Sequence, residues 1–189
     1  KFLYARIATS NLLRCVDEIT EKTFDALLGN GQDIGDVFQQ DLKMLDRAFQ
    51  AHFKRIDRGA TRMLTALAWA QGNGVPVRDG LWAAIANALP TPLAASALTE
   101  VKDEHIHWLL AEAGRYILED GDGEQAVYRL FHQSLIEHFH PYSEAESGKA
   151  HAVASALDHV VGIQGGWRHA NPYLLRHMAA FWAACRPQV

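Results

Sequence analysis

Arg115–Phe139 reads RYILEDGDGEQAVYRLFHQSLIEHF. Two short runs in it alternate bulky and charged residues on either side of a tight Asp-Gly turn. Tyr116–Glu119 and Ala126–Leu130 predict antiparallel strands. Asp120-Gly121-Asp122-Gly123 between them supplies residues that accept positive φ. The second strand runs straight into an amphipathic helix over Leu130–Phe139. A two-stranded ribbon is marginal by itself in water, so this hairpin has to pack on flanking helices.

The flanks supply helices on both sides. Upstream, Thr61–Trp69 carries Met63, Leu64, Leu67 and Ala68 and is closed by Gly72-Asn73-Gly74. Val75-Pro76-Val77 crosses over. Arg78–Leu89 turns Leu81, Trp82, Ile85 and Leu89 inward and stops at Pro90-Thr91-Pro92. Leu93–Val101 reads as a loop or weak helix. Asp103 is placed to cap a third helix containing Ile106, Leu109, Leu110 and Ala113, with Gly114 leading into the hairpin. Helix, helix, helix, hairpin is the order of a winged-helix domain.

Further out, Lys1–Arg14 and Val16–Asn30 have apolar residues at helical spacing, and Asp33 or Asp36 can cap Val37–Phe49, with Phe38, Leu42, Leu45 and Phe49 in register. Downstream of His140-Pro141, Ser147–Val161 builds on Ala152, Ala154, Leu157 and Val160. Pro172–Cys185 places Tyr173, Leu174, His177, Met178, Phe181 and Trp182 around its apolar face. The expected architecture is mainly α: a helical bundle plus a winged-helix domain with one β-hairpin, followed by further helices. The expected divisions are 1–55, 56–140 and 141–189, with the basic and polar stretch His52–Arg58 as the first boundary.

The chain has 189 residues, 49% of them hydrophobic, enough for a substantial core. Its net charge is −4 with both signs interspersed, which does not mark a nucleic-acid binder. Cys15 and Cys185 are far apart and form no CxxC pattern, so reduced thiols in a cytoplasmic setting are expected. No apolar run approaches the ~18 residues of a membrane span. The chain begins at Lys1 within an apolar helical pattern, and so reads as a piece of a longer protein.

No phosphate loop GxxxxGK[ST], GxGxxG after a strand, nucleophile elbow or HExxH pair is present, so the chain is expected to have no catalytic residues and no cofactor of its own. Ten histidines raise a metal site, but His105/His107 and His138/His140 are two apart, which points them away from each other on a helix. Surface histidines and no metal are expected. Glu119, Asp120, Asp122 and Glu124 lack the spacing of a calcium loop and read as a solvated turn. His132 differs, because it follows Phe131 where the second strand becomes a helix. A helix start favours anions, so a histidine there is placed to share a phosphate with backbone donors; capping, or bridging to the preceding helix, is the alternative.

VYRLFHQSLIEHF, preceded by LLAEAGRYILED and followed by ANPYLLRHMAAF, resembles the region after the nucleotide-binding domain in bacterial STAND NTPases, the NACHT and NB-ARC signalling ATPases related to AAA+ proteins. Phe131-His132-Gln133 resembles the Met-His-Asp motif of that family's winged-helix domain, with Gln133 in the aspartate's place. FLYAR at Phe2–Arg6 resembles the tail of the helical lid, and IGDVFQQDLKML the connector after it. The resemblance implies a non-catalytic regulatory arm that couples nucleotide state to switching and oligomerisation. His132, beside Phe131, would sense nucleotide by contacting the ADP β-phosphate. It also implies ADP or ATP with magnesium on an upstream ATPase domain of the same chain, a sensor or repeat domain downstream, and homo-oligomers on activation. The alternative is a free-standing winged-helix DNA-binding or protein-interaction module. Against DNA stand Asp103, Glu104 and Glu112 on the third helix, which has no arginine or lysine.

Overall fold

A computed structural model describes residues 34–54, 56, 58–89, 100–139 and 146–185. The helices expected over Lys1–Arg14 and Val16–Asn30, Cys15, the caps at Asp33 and His140-Pro141, and nearly all of the Leu93–Val101 loop lie outside these residues. The described chain is mainly helical. In order it has α1 (Ile34–His52), α2 (Gly59–Ala68), a short 3-10 turn (Arg78–Gly80), α3 (Leu81–Ala88), α4 (Asp103–Ala113), β1 (Ile117–Asp122), β2 (Gln125–Leu130), α5 (Gln133–Phe139), α6 (Glu146–Ile163) and α7 (Pro172–Ala184).

The periodic apolar positions form one continuous core. Phe38, Leu42, Leu45 and Phe49 of α1 are buried against Met63, Leu64 and Leu67 of α2. Leu81, Trp82 and Ile85 carry α3 into the same core, and the Trp82 indole N–H donates to the Met63 carbonyl at 2.9 Å. That bond satisfies the one polar atom of a fully buried side chain. The α6–α7 pair joins through Val153, Ala154, Leu157 and Val161 on one helix and Tyr173, Leu174, Met178 and Phe181 on the other. Burying a large aliphatic or aromatic side chain stabilises by roughly 1.5–3 kcal/mol, so these stripes dominate the folding energy. Trp182, expected on the inner face of α7, is 38% exposed. It sits one position beyond Phe181, and the helix turn carries it around to the solvent side.

The hairpin is longer and its turn tighter than the sequence suggests. Asp122 pairs with Gln125, so Asp120 and Gly121 belong to β1 and the loop is only Gly123-Glu124. Gly123 has φ 66°, and Glu124 is not among the residues with positive φ, the pattern of a two-residue II′ turn. Cross-strand hydrogen bonding continues into the Asp-Gly pairs because a two-residue turn matches strand twist better than a four-residue loop. A further pairing lies outside the hairpin: Val75 bridges antiparallel to Tyr128. The crossover segment thereby adds a short third extended segment against β2.

Local corrections concern helix starts. Asp36 lies within the described length of α1, Ile34–His52, and not at a cap position. The cap position of α4 is Lys102, not Asp103, and the Lys102 backbone N–H is taken by the His105 ring Nδ1 at 2.8 Å. The helix after the hairpin starts at Gln133, because Leu130 remains in β2. Asn171 caps α7, its side-chain oxygen accepting from the Tyr173 N–H at 2.9 Å. No helix among the described residues is long and apolar enough to cross a membrane.

Candidate functional site

Leu130 is the last residue of β2, and the Phe131 N–H donates to the Tyr116 carbonyl at 2.8 Å, so the chain is fixed until it turns. The half-buried Phe131 ring packs on the core. His132 comes next and is exposed. Its carbonyl accepts the Leu135 N–H at 3.0 Å, and its ring Nδ1 accepts the Ser134 N–H at 3.1 Å. The imidazole therefore caps the start of α5, using the donor that a phosphate was expected to share with it. With Nδ1 accepting, the neutral ring carries its proton on Nε2. One exposed hydrogen-bond donor results, fixed in orientation by the cap and adjacent to the anchored Phe131.

The other histidines are not all on the surface. His105 is 5% exposed, held between the Phe49 and Phe53 rings at 5.8 and 4.6 Å. Burial pushes its pKa down, with nearby Glu104 opposing. His107, two residues on, is exposed. His138 shares a 2.7 Å hydrogen bond with Gln39. Among the described residues no group of three or more His, Cys, Asp or Glu side chains could hold a metal ion.

The acidic hairpin is only partly a solvated turn. Asp122 pairs with Arg176 of α7. Asp120 accepts its neighbour's Gly121 N–H at 2.8 Å. Next to the tip, Gln125 and Asn171 form a reciprocal amide pair at 3.2 and 3.1 Å. Asn171, 4% exposed, also donates to Asp79 at 2.7 Å and, through its backbone N–H, to Gln164 at 3.0 Å. It thereby ties the turn before α3, the hairpin and the α6–α7 connection together.

A second buried polar cluster joins α1 to the end of α4 and the short 3-10 turn Gly114–Tyr116 that leads into β1. Asp41, 3% exposed, accepts from Arg115 Nε at 3.2 Å and from its terminal nitrogen at 2.5 Å, as well as from the Tyr116 hydroxyl. The remaining guanidinium nitrogen donates to the Glu112 carbonyl at 2.7 Å. Burial, then the Asp41 carboxylate, holds the Tyr116 phenol far above its ordinary range. These groups make a structural tie, since the carboxylate faces fully committed donors. The sequence hinted at it only through Asp41, a charge on the apolar side of α1.

No family model, no curated protein and no solved structure matches the chain.

Proposed function

We propose that the chain is the non-catalytic regulatory arm of a multidomain STAND-type signalling ATPase, with residues 56–140 forming its winged-helix domain. The order α2, Val75 segment, α3, α4, β1, β2 supports the domain reading, because Val75 lies against Tyr128 where a winged helix has its first strand. The observation that carries the functional reading is His132. Its ring is exposed at the strand-to-helix junction, its Nδ1 is occupied by the Ser134 N–H, and its Nε2 is left to face a partner.

In this reading an upstream ATPase domain holds ADP or ATP with magnesium, and His132 donates to a phosphate oxygen in the closed state. One histidine offers only part of a site, so the arm by itself neither hydrolyses ATP nor binds ADP tightly. Exchange for ATP releases the arm toward a downstream sensor or repeat domain and permits self-association. The switch works only if the closed and open states differ in nucleotide affinity, since equal binding shifts nothing. A free-standing DNA-binding module is disfavoured by the exposed Asp103 and Glu104 of α4, which repel phosphates.

The test is the coding sequence upstream of Lys1 together with the full-length protein. A phosphate loop is expected there, and in the full-length protein His132→Ala should speed ADP release and raise self-association. A gene with no upstream phosphate loop overturns the reading.

A further inference from the structure

A groove of about 400 Å3 opens between α1 and the start of α2, and the end of α5 closes one side. One wall is a single face of α1, where Gln39, Lys43, Arg47 and Gln50 recur at helical spacing. Leu42 and Phe139 form its apolar floor, and Arg58 and Thr61 stand opposite.

The titratable groups facing the groove are Lys43, Asp46, Arg47, Arg58 and His138. Asp46 is turned to the fold: its two carboxylate oxygens accept the Thr61 N–H at 2.9 Å and the Thr61 hydroxyl at 2.5 Å, holding the start of α2. The ring Nε2 of His138 is engaged by Gln39. Lys43 and Arg47 have no ion-pair partner among the described residues. Three cations thus face one carboxylate, Asp46, which Thr61 holds and on whose charge Arg58 also acts, on a chain whose net charge is −4.

Arg58 supplies an independent observation. It sits at φ 47°, ψ 39°, in the left-handed region that favours glycine, and its side chain makes no capping bond. Glycine or asparagine would suit this backbone better, so the long cation stands there at a cost to folding.

We propose that this groove binds an acidic peptide segment in extended form, its carboxylates paired with Lys43, Arg47 and Arg58. From Gln39 to Gln50 the wall runs roughly 16 Å at the α-helical rise, the length of about five extended residues. The cations are strung along this length, with Gln50 at one end able to bond a peptide backbone. A strip of that kind matches spaced carboxylates better than one compact anion. The site is separate from His132 and stands whether or not the chain serves an ATPase.

The experiment is fluorescence polarisation with a labelled hexapeptide of alternating Glu and Gly, against the same peptide with Gln for Glu. Arg47→Glu should weaken binding of the Glu peptide by about tenfold, the loss of one charge-assisted pair plus a repulsion. Arg129→Glu, the same charge change on the exposed outer side of β2, should leave it within about twofold, since a distant exposed charge is screened. Arg58→Gly should weaken binding while Tm stays level or rises, because the backbone is relieved. Equal binding of the two peptides, an equal loss in Arg129→Glu, or pyrophosphate competing more tightly than the Glu peptide binds would overturn the proposal.

Discussion

Val75 and Tyr128, on segments far apart in the chain, exchange both of their backbone hydrogen bonds, with N···O 2.9 Å in each direction. Gly74 beside them makes the approach possible. It has φ 134°, and a Cβ built there would lie 2.5 Å from the Tyr128 carbonyl oxygen. The neighbour is backbone and cannot swing away. Gly74→Ala is expected to cost roughly 2–4 kcal/mol through strain and a broken bridge. Urea denaturation measures it, and a change under 1 kcal/mol would mean that the bridge is dispensable.

Asp41 anchors a guanidinium and a phenol that have left water. Asp41→Ala should cost about 3–5 kcal/mol, because removing one partner strands the other charge in the core. Arg176→Ala removes a pair whose arginine side chain is 48% exposed, and should cost no more than about 1 kcal/mol. Thermal unfolding of both variants checks the ranking, and similar losses would contradict it.

Leu135 is 2% exposed, three residues after His132. Leu135→Ala should destabilise by roughly 2–5 kcal/mol through lost burial and the cavity left behind. His132→Ala removes a helix cap on an exposed turn, so about 1 kcal/mol is expected. His132→Asn, which can cap the same N–H, should recover most of it. Chemical denaturation of the three variants decides the matter. A His132→Ala loss as large as that of Leu135→Ala would make the ring a structural tether.

The pH dependence follows from three histidines whose pKa values are lowered chiefly by burial: His105, His138 and His177. A folded pKa below the unfolded value means that the unfolded chain takes up protons first. Stability is then full above about pH 6.5 and declines as pH falls toward the folded pKa values. Asp46, raised mainly by burial, acts in the opposite sense above its ordinary value near 3.8, favouring the fold as pH drops. Three histidines act against one carboxyl between pH 7 and 5, so Tm should fall on acidification. His105→Gln keeps an acceptor for the Lys102 N–H without titrating in this range, and its Tm should vary less between those two pH values. An unchanged slope would remove His105 from the account.

The amino-acid sequence alone determined which described segments are helices and where the hairpin falls, though not the ends of these elements to the residue. The Asp120–Gly123 turn expected from composition shrank to Gly123-Glu124 once the strands paired, whereas the stripes Phe38-Leu42-Leu45-Phe49 and Leu81-Trp82-Ile85 act within a few residues, so local periodicity exposes them. The position of His132 at a strand-to-helix junction was legible for the same reason. The fate of the polar side chains was not. Asp122 reads as a turn acid until α7 brings Arg176 to it. His105 reads as a surface histidine until Phe49 and Phe53 close over it. Arg58 and Lys43 belong to one groove only after α2 folds back along α1. Such contacts join residues that the chain separates widely, and their energies depend on how already formed helices dock. Hydrophobic patterning chose the elements and their buried faces, whereas tertiary packing decided which charges met a partner and which remained facing solvent.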